Sequence, residues 1–242
     1  TYAMYYVYAK MFQARLKKVD YGKDFSLSSD KIIKNINPLT KLICIANPNS
    51  PTGTIISIKD LKKIISAANM HNSMVLIDEA YYQFWGETAV GLLESNDNLI
   101  ITRTFSKAMG LASARLGFVV STSSIIENLF KVRPMYEVNS FAVKLGNYFL
   151  EHPELIVNHV HLVSNAKKFL SEELLKDGLS LKPGFTNFVL IDMGSREKVE
   201  KVVQLFFEKK IIIKGGFNES CLESYIRVGI GSIEQVKNFL QI

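Results

Sequence analysis

The chain has 242 residues, 48% of them apolar, and a formal net charge of +6. This length suffices for one large domain or for a large domain with a smaller one. No apolar run approaches the roughly 18 to 20 residues that cross a bilayer, so we expect a soluble protein with no membrane partner. The lysines are spread over helical stretches and form no stripe with interleaved aromatic residues, so we expect no nucleic-acid partner either.

The cysteine content favours a reducing compartment. Only Cys44 and Cys221 are present, and neither has the spacing of a metal ligand. The sequence therefore predicts no metal site and two buried or free thiols, with Cys44 in a putative core strand. No signal-peptide pattern opens the chain, and we expect a cytoplasmic location.

In the first half of the chain, apolar runs of the buried-strand kind alternate with amphipathic helical stretches. This alternation predicts an α/β fold with a mostly parallel sheet. The predicted strands cover 42–46, 74–77, an apolar run before Lys107, and 117–120, and the predicted helices cover about 57–71 and 123–131.

From residue 139 onward the chain is predicted to be helical, with a break at His152 and Pro153, where a new helix begins with proline in its first turn. Ser232 and Gln235 form the signature of a capping box at the start of the last helix. We therefore predict a partial large domain at 1–138 and a small C-terminal α+β domain at 139–242. The remaining predicted strands cover 180–181, 188–191, 211–213 and 225–228, and the remaining helices about 196–209 and 233–240.

Polar residues follow three of the predicted strands. The first strand stops in a polar turn that contains Ser50, the second ends at Asp78 with Tyr81 just beyond it, and the third leads to Lys107. The carboxyl ends of parallel strands lie along one edge of an open sheet, where ligands bind. We therefore expect these four side chains to meet in one site.

These side chains suit a particular cofactor. Lys107 can form a Schiff base with a carbonyl compound when some of its amine is unprotonated, and Arg115 is a candidate for the cation that favours the free amine. Asp78 can pair with a protonated ring nitrogen, while Ser50 and Tyr81 can hydrogen-bond a phenolic oxygen. Pyridoxal phosphate needs all of these groups, since its ring withdraws electrons only while its nitrogen is protonated.

Five motifs, in order along the chain, carry a resemblance to a known family. The chain resembles the fold-type I pyridoxal-phosphate aminotransferases, and within them the histidinol-phosphate aminotransferase branch, from about Thr1 to the C-terminus. The motifs are Asn-Pro-Asn-Ser-Pro-Thr-Gly at 47–53, Asp-Glu-Ala-Tyr at 78–81, Arg-Thr-Phe-Ser-Lys at 103–107, Arg-Leu-Gly-Phe at 115–118 and Tyr-Ile-Arg-Val-Gly at 225–229.

The resemblance implies an activity and an assembly. The expected reaction moves an amino group from an amino acid, or an amino-alcohol phosphate such as histidinol phosphate, to a 2-oxo acid, in a homodimer. Lys107 is the implied proton carrier between the substrate carbon and the cofactor. Asp78 is the implied partner of the ring nitrogen, and Tyr81 that of the ring oxygen.

The resemblance also implies roles for residues around the cofactor. Ser106 and Arg115 are the expected phosphate-binding pair, and Thr104 is expected to add a hydroxyl. Tyr2 resembles the aromatic residue that stacks on the cofactor ring, although Tyr5 and Tyr6 lie close enough to leave the register open.

Arg227 is the main candidate for binding the substrate. An arginine inside an apolar strand costs free energy unless its guanidinium meets an anion or lies on the solvent side. The resemblance implies that it binds the substrate's carboxylate or an equivalent anionic group. Asn187, in Thr-Asn-Phe at 186–188, is expected near the substrate.

The sequence departs from the family pattern at two positions. Ser50 stands where asparagine is usual, so we expect a weaker or water-mediated contact to the ring oxygen, with Asn49 as an alternative. Lys214 stands where the histidinol-phosphate enzymes carry an arginine, and a point charge cannot replace a fork at an anion site. This second departure puts the specific substrate in question.

Two alternative functions remain open on the sequence. Fold-type I decarboxylases of phosphorylated amino acids share these motifs, and sequence does not fix which substrate bond lies perpendicular to the ring. The chain begins at Thr1, without a methionine, and the resemblance places its first segment inside the large domain. A non-catalytic fragment of such a fold, lacking the arm and the glycine-containing turn that precede it in the family, is therefore the third interpretation.

Overall fold

The computed structural model describes residues 1–242, and its first half is built around a four-stranded sheet. Strands β1 (Leu42–Ala46), β2 (Met74–Asp78) and β3 (Leu99–Thr104) run parallel, and β4 (Gly117–Val120) pairs antiparallel with β3, in the order β1-β2-β3-β4. The accompanying helices are α1 (Met4–Met11), α2 (Ser29–Ile33), α3 (Ile58–Asn69), α4 (Tyr82–Trp85) and α5 (Ser123–Phe130). The predicted α/β fold with a mostly parallel sheet is confirmed.

The register of this sheet brings the ends of its parallel strands together. Ala46 pairs with Asp78, and Asp78 pairs with Thr102, so the chain leaves all three strands at the same edge. A core of aliphatic side chains from β2, β3 and α3 holds the strands in place, and it includes Leu61, Ile64, Val75, Ile77, Leu99 and Ile101, all with no exposed surface.

The second half contains a smaller antiparallel sheet flanked by helices. Strands β5 (Leu181–Lys182), β6 (Phe188–Asp192) and β7 (Tyr225–Gly229) lie in that order. The helices are α6 (Ser140–Glu151), α7 (Pro153–Lys176), α8 (Arg196–Glu208) and α9 (Ile233–Leu240). The predicted features at the helix starts are confirmed: Pro153 opens α7, and Ser232 and Gln235 form the capping box of α9.

A second apolar core unites α7, α8 and α9 with β6 and β7, through residues such as Leu170, Val189, Val199 and Ile226. Helix α6 also contacts the first half of the chain, because Gly146 lies against Leu116 and Phe105, and a Cβ on Gly146 would meet Leu116 at 2.5 Å. The boundary between 138 and 139 stays a prediction.

The structure corrects two sequence-based predictions. Residues 211–213 form no strand: Ile213 is buried in the core, Ile212 is 88% exposed, and only Lys214 makes a single bridge, with Arg227. The run 42–46 is a strand, but it lies at the sheet edge, where only Ile45 is buried and Leu42 and Cys44 are exposed. A short apolar run does not distinguish a central strand from an edge strand or a loop that reaches the core.

No helix combines the length and apolar character required to cross a membrane.

Candidate active site

Asp78 stands at the end of β2 and is held by two donors. The hydroxyl of Tyr5 donates to its Oδ2 at 2.8 Å, and the amide of Ala80 donates to its Oδ1 at 3.1 Å. Burial raises the pKa of Asp78, while these two hydrogen bonds and the charge of Lys107 act in the opposite direction. The result is an oriented carboxylate close to a cation.

Lys107 lies beyond the end of the neighbouring strand β3. Its Nζ is 5.3 Å from the centre of the Tyr81 ring, and it donates no hydrogen bond within the chain. Tyr81 is 8% exposed and packs edge-on against Phe188 of β6, with ring centres 5.6 Å apart. The structure therefore brings Lys107, Asp78 and Tyr81 to one edge of the sheet and leaves the lysine amine available to a ligand.

The second sheet contributes Arg227, which reaches the turn after β1. Its Nη1 donates to Oγ of Ser50 at 3.3 Å, a contact between residues 177 positions apart. The guanidinium also lies 5.2 Å from the centre of the Phe188 ring. Arg227 makes no salt bridge within the chain, so its remaining donors are free to bind an anion.

Lys214 lies directly beside Arg227. The two residues exchange both backbone hydrogen bonds, at 3.1 and 2.6 Å, and the side chains of such a pair leave the sheet on the same face. Lys214 is exposed, and its Nζ lies 5.9 Å from the centre of the Phe217 ring. We call these two neighbouring cations the positive corner; Arg227 is the one that contacts Ser50.

The residues expected to bind phosphate lie on two segments, one with Thr104 and Ser106 and one with Arg115, that hydrogen bonds join. Oγ1 of Thr104 accepts a hydrogen bond from the amide of Ser106 at 3.1 Å and donates to the carbonyl of Leu116 at 3.4 Å. Arg115 adopts a left-handed backbone conformation (φ 54°) and is exposed. Its Nη1 donates to the carbonyl of Ala112 at 2.9 Å, which leaves the rest of its guanidinium fork open.

Two further candidates lie at the margins. Tyr2 is 53% exposed, and its ring meets that of Tyr5 edge-on at 5.7 Å. Asn187 precedes β6, and its carbonyl accepts from the amide of Ile230 at 2.9 Å. Neither makes a hydrogen bond to Asp78.

Sequence reasoning did not find the role of Tyr5. No local signal could have found it, because several tyrosines cluster near the start of the chain and the contact of Tyr5 with Asp78 joins residues 73 positions apart. The alternative partner for a ring oxygen, Asn49, is 2% exposed, and its Nδ2 donates to Oγ1 of Thr52 at 2.8 Å. Asn49 therefore shapes the turn, and Ser50 is the residue of that turn that meets Arg227.

An amine, a carboxylate and cations thus lie at the strand ends of an open α/β sheet. The model of the family "Aminotransferase class I and II" matches residues 1–242, so the chain belongs to this family.

Curated relatives agree with this assignment. The histidinol-phosphate aminotransferase of Clostridium novyi (strain NT) is 34% identical over 237 residues, which cover 97% of this chain and 64% of that protein. Histidinol-phosphate aminotransferase 1 of Carboxydothermus hydrogenoformans is 32% identical over 242 residues, which cover 100% of this chain and 67% of that protein. The chain thus spans about two thirds of the length of these relatives.

Solved structures share the fold. The histidinol-phosphate aminotransferase from Clostridium acetobutylicum superposes with a TM-score of 0.90 at 23% identity, covering 100% of this chain and 74% of that one. The Sinorhizobium meliloti enzyme, solved in complex with pyridoxal-5'-phosphate, gives a TM-score of 0.84 at 22% identity, covering 99% and 68%. These likenesses confirm the predicted fold-type I architecture.

Proposed function

We propose that this chain carries the active site of a pyridoxal-phosphate-dependent aminotransferase. One observation supports the proposal most strongly. The amine of Lys107, which donates no hydrogen bond within the chain, and the carboxylate of Asp78, which two donors orient, lie beyond the ends of adjacent strands. The names of the curated relatives support transamination over decarboxylation. The expected substrates are an amino acid, or an amino-alcohol phosphate such as histidinol phosphate, and a 2-oxo acid.

The side chains at the strand ends fit pyridoxal phosphate as a donor set. Lys107 would hold the aldehyde end, Asp78 the ring nitrogen, and Tyr81 and Ser50 the ring oxygen. Thr104, Ser106 and Arg115 would hold the phosphate, and Tyr2 would lie against the ring. When bound, the cofactor supplies a ring that withdraws electrons from the substrate carbon.

Each residue then has a defined task. With the cofactor bound, Asp78 would keep a proton on the ring nitrogen, because an ionised carboxylate favours a neighbouring cationic form. The Nζ of Lys107 takes a proton from the substrate carbon and later returns one, as general base and then general acid. Arg227 binds the anionic end of the substrate and so fixes which bond faces the lysine.

The positive corner formed by Arg227 and Lys214 supports a substrate with an anionic group, which suits a carboxylate or a phosphate. Lys214 presents a single ammonium where a fork would bind two phosphate oxygens at once. We therefore propose that histidinol phosphate is one member of the substrate class rather than its best member. We further propose a cytoplasmic homodimer, as in the family that the sequence resembles.

The test is an amino-donor panel with a 2-oxo acid acceptor, using the protein with any flanking sequence that its gene encodes. Formation of a new amino acid with no release of carbon dioxide supports the proposal. Stoichiometric carbon dioxide from a phosphorylated amino acid would support the decarboxylase instead. No turnover with any donor, despite cofactor bound at Lys107, would contradict the aminotransferase assignment.

A further inference from the structure

Two loops meet beside the candidate site, in a contact that we call the Gly53–Gly184 seam. The turn 49–54 follows β1, the loop 183–187 precedes β6, and the amide of Phe185 donates to the carbonyl of Gly53 at 2.7 Å. A Cβ on Gly184 would lie 2.7 Å from the Cα of Gly53, and both glycines have positive φ (70° and 54°). The two backbones therefore touch with no side chain between them.

Lys167 of α7 is bonded to the same loop. Its Nζ donates to the carbonyls of Gly184 at 2.8 Å and of Thr186 at 2.9 Å, and so brackets Phe185. Burial alone lowers the pKa of Lys167 to about 8. A partly buried cation without an ionic partner costs free energy, and its two carbonyl contacts offset part of that cost.

The loop that Lys167 holds is continuous with the substrate side of the site. Thr186 is fully buried, and Asn187 follows it directly. On the other side of the seam, the turn that contains Gly53 also contains Ser50, which accepts the hydrogen bond from Arg227. A displacement at the seam would therefore move Ser50 relative to Arg227.

We propose that Lys167 is a positioning residue for the anion-binding end of the active site. Its ammonium holds the 184–186 loop against Gly53, and the seam in turn fixes the distance between Ser50 and Arg227. Lys167 touches no reacting atom, so it acts on substrate binding and leaves the chemistry at Lys107 intact. The effect on substrate binding rests on the proposed function. The contact between Lys167 and the 184–186 loop can be tested without any ligand.

Three variants test the contact. Lys167→Met keeps the length and apolar stem of the side chain and removes the ammonium, while Lys167→Arg restores a cation. Lys168→Met is the matched control. Lys168 is the next residue of the same helix, its side chain is 78% exposed, and its Nζ lies 3.9 Å from Oε1 of Glu172.

The ligand-free measurement is hydrogen–deuterium exchange in the peptide that contains Phe185, whose amide forms the seam. We expect faster exchange in Lys167→Met, because loss of the ammonium leaves the carbonyls of Gly184 and Thr186 without their donor. We expect wild-type exchange in Lys168→Met. Lys167→Arg is expected to lie between them. Wild-type exchange of this peptide in Lys167→Met would overturn the proposal whatever the enzyme's reaction.

The kinetic measurement uses histidinol phosphate as donor, or the best amino acid donor if histidinol phosphate is not turned over. We expect Lys167→Met to raise KM about tenfold with kcat changed less than about twofold, since a misplaced binding group weakens uniform binding. Cofactor labelling at Lys107 should be unchanged. Labelling at Lys107 with an unaltered KM would overturn the role of Lys167, whereas absent labelling in the wild type would overturn the proposed function instead.

A further variant keeps the test decisive if Lys167→Met does not fold. Gly184→Ala retains Lys167 but introduces a Cβ that must displace the backbone of Gly53. It should reproduce the rise in KM and the faster exchange at Phe185. Wild-type KM and exchange in Gly184→Ala would show that the seam does not position the site.

Discussion

Loss of the ion pair between Arg103 and Glu79 should destabilise the fold strongly. Glu79 directly follows Asp78 and is 1% exposed, and Arg103 is the penultimate residue of β3, with a side chain that is 14% exposed. The Nε and Nη2 of Arg103 donate to Oε2 of Glu79 at 3.0 and 2.9 Å, and its guanidinium lies 3.8 Å from the centre of the Tyr82 ring. The pair thus ties the end of β2 to the end of β3.

The magnitude follows from what would remain after Arg103→Met. Glu79 would keep its bonds to the amide of Ala89 and the hydroxyl of Thr88, but it would be a buried charge without a counter-ion. Two charged hydrogen bonds at about 1.5 to 3 kcal/mol each set the scale. Breaking one side of a buried pair costs about 3 to 5 kcal/mol, and we expect a loss in that range.

Urea unfolding of the wild type and the variant measures this loss, provided that the slope of the free energy against denaturant is unchanged. Lys63→Met is the control, because it removes an ion pair of similar length (2.7 Å) to Asp60 at the surface, where solvent screens it. Restoring charge balance with Glu79→Leu on top of Arg103→Met should recover part of the stability. Equal effects of Arg103→Met and Lys63→Met would show that the buried pair stabilises the fold no more than a surface pair does.

Four further predictions concern the chemistry. Asp78→Asn should reduce kcat far more than cofactor affinity, because the amide cannot hold the ring nitrogen protonated; equal losses, from a cofactor titration and steady-state rates, would contradict that role. Tyr5→Phe removes a hydrogen bond that lowers the pKa of Asp78, so this pKa should rise and the acid limb of the pH profile of kcat/KM should move to higher pH; an unmoved limb would exclude the contact from catalysis. Arg227→Ala should weaken kcat/KM by about 2 to 5 kcal/mol, because the substrate's anion loses its charged partner, and a loss confined to kcat would argue against binding. Lys214→Arg should improve kcat/KM for histidinol phosphate, and efficient wild-type turnover of that substrate with no gain from arginine would contradict the role given to Lys214.

The parts of the site that follow from local rules could be read from the sequence. Asp78 and Lys107 were predicted because polar residues after parallel strands gather at one sheet edge, and the register of β1, β2 and β3 confirms that edge. The contact of Tyr5 with Asp78 was not predicted, because no local pattern says which tyrosine of a cluster meets a strand 73 residues away.

Long-range contacts account for the rest. The contact between Arg227 and Ser50 and the seam at Gly53 and Gly184 both depend on how the second sheet lies against the first, which propensity and periodicity do not encode. The missing strand at 211–213 has the same cause: three isoleucines have strand propensity, but only Ile213 finds a place in the core.

Lys107 is the residue that we expect to bond pyridoxal phosphate covalently. The direct measurement is to incubate the protein with pyridoxal phosphate, reduce it with borohydride, digest it and map the labelled peptide by mass spectrometry. We expect one label, on Lys107, that is lost in Lys107→Arg and kept in the control Lys168→Met. Label on another lysine, with Lys107 unmodified, would contradict this expectation.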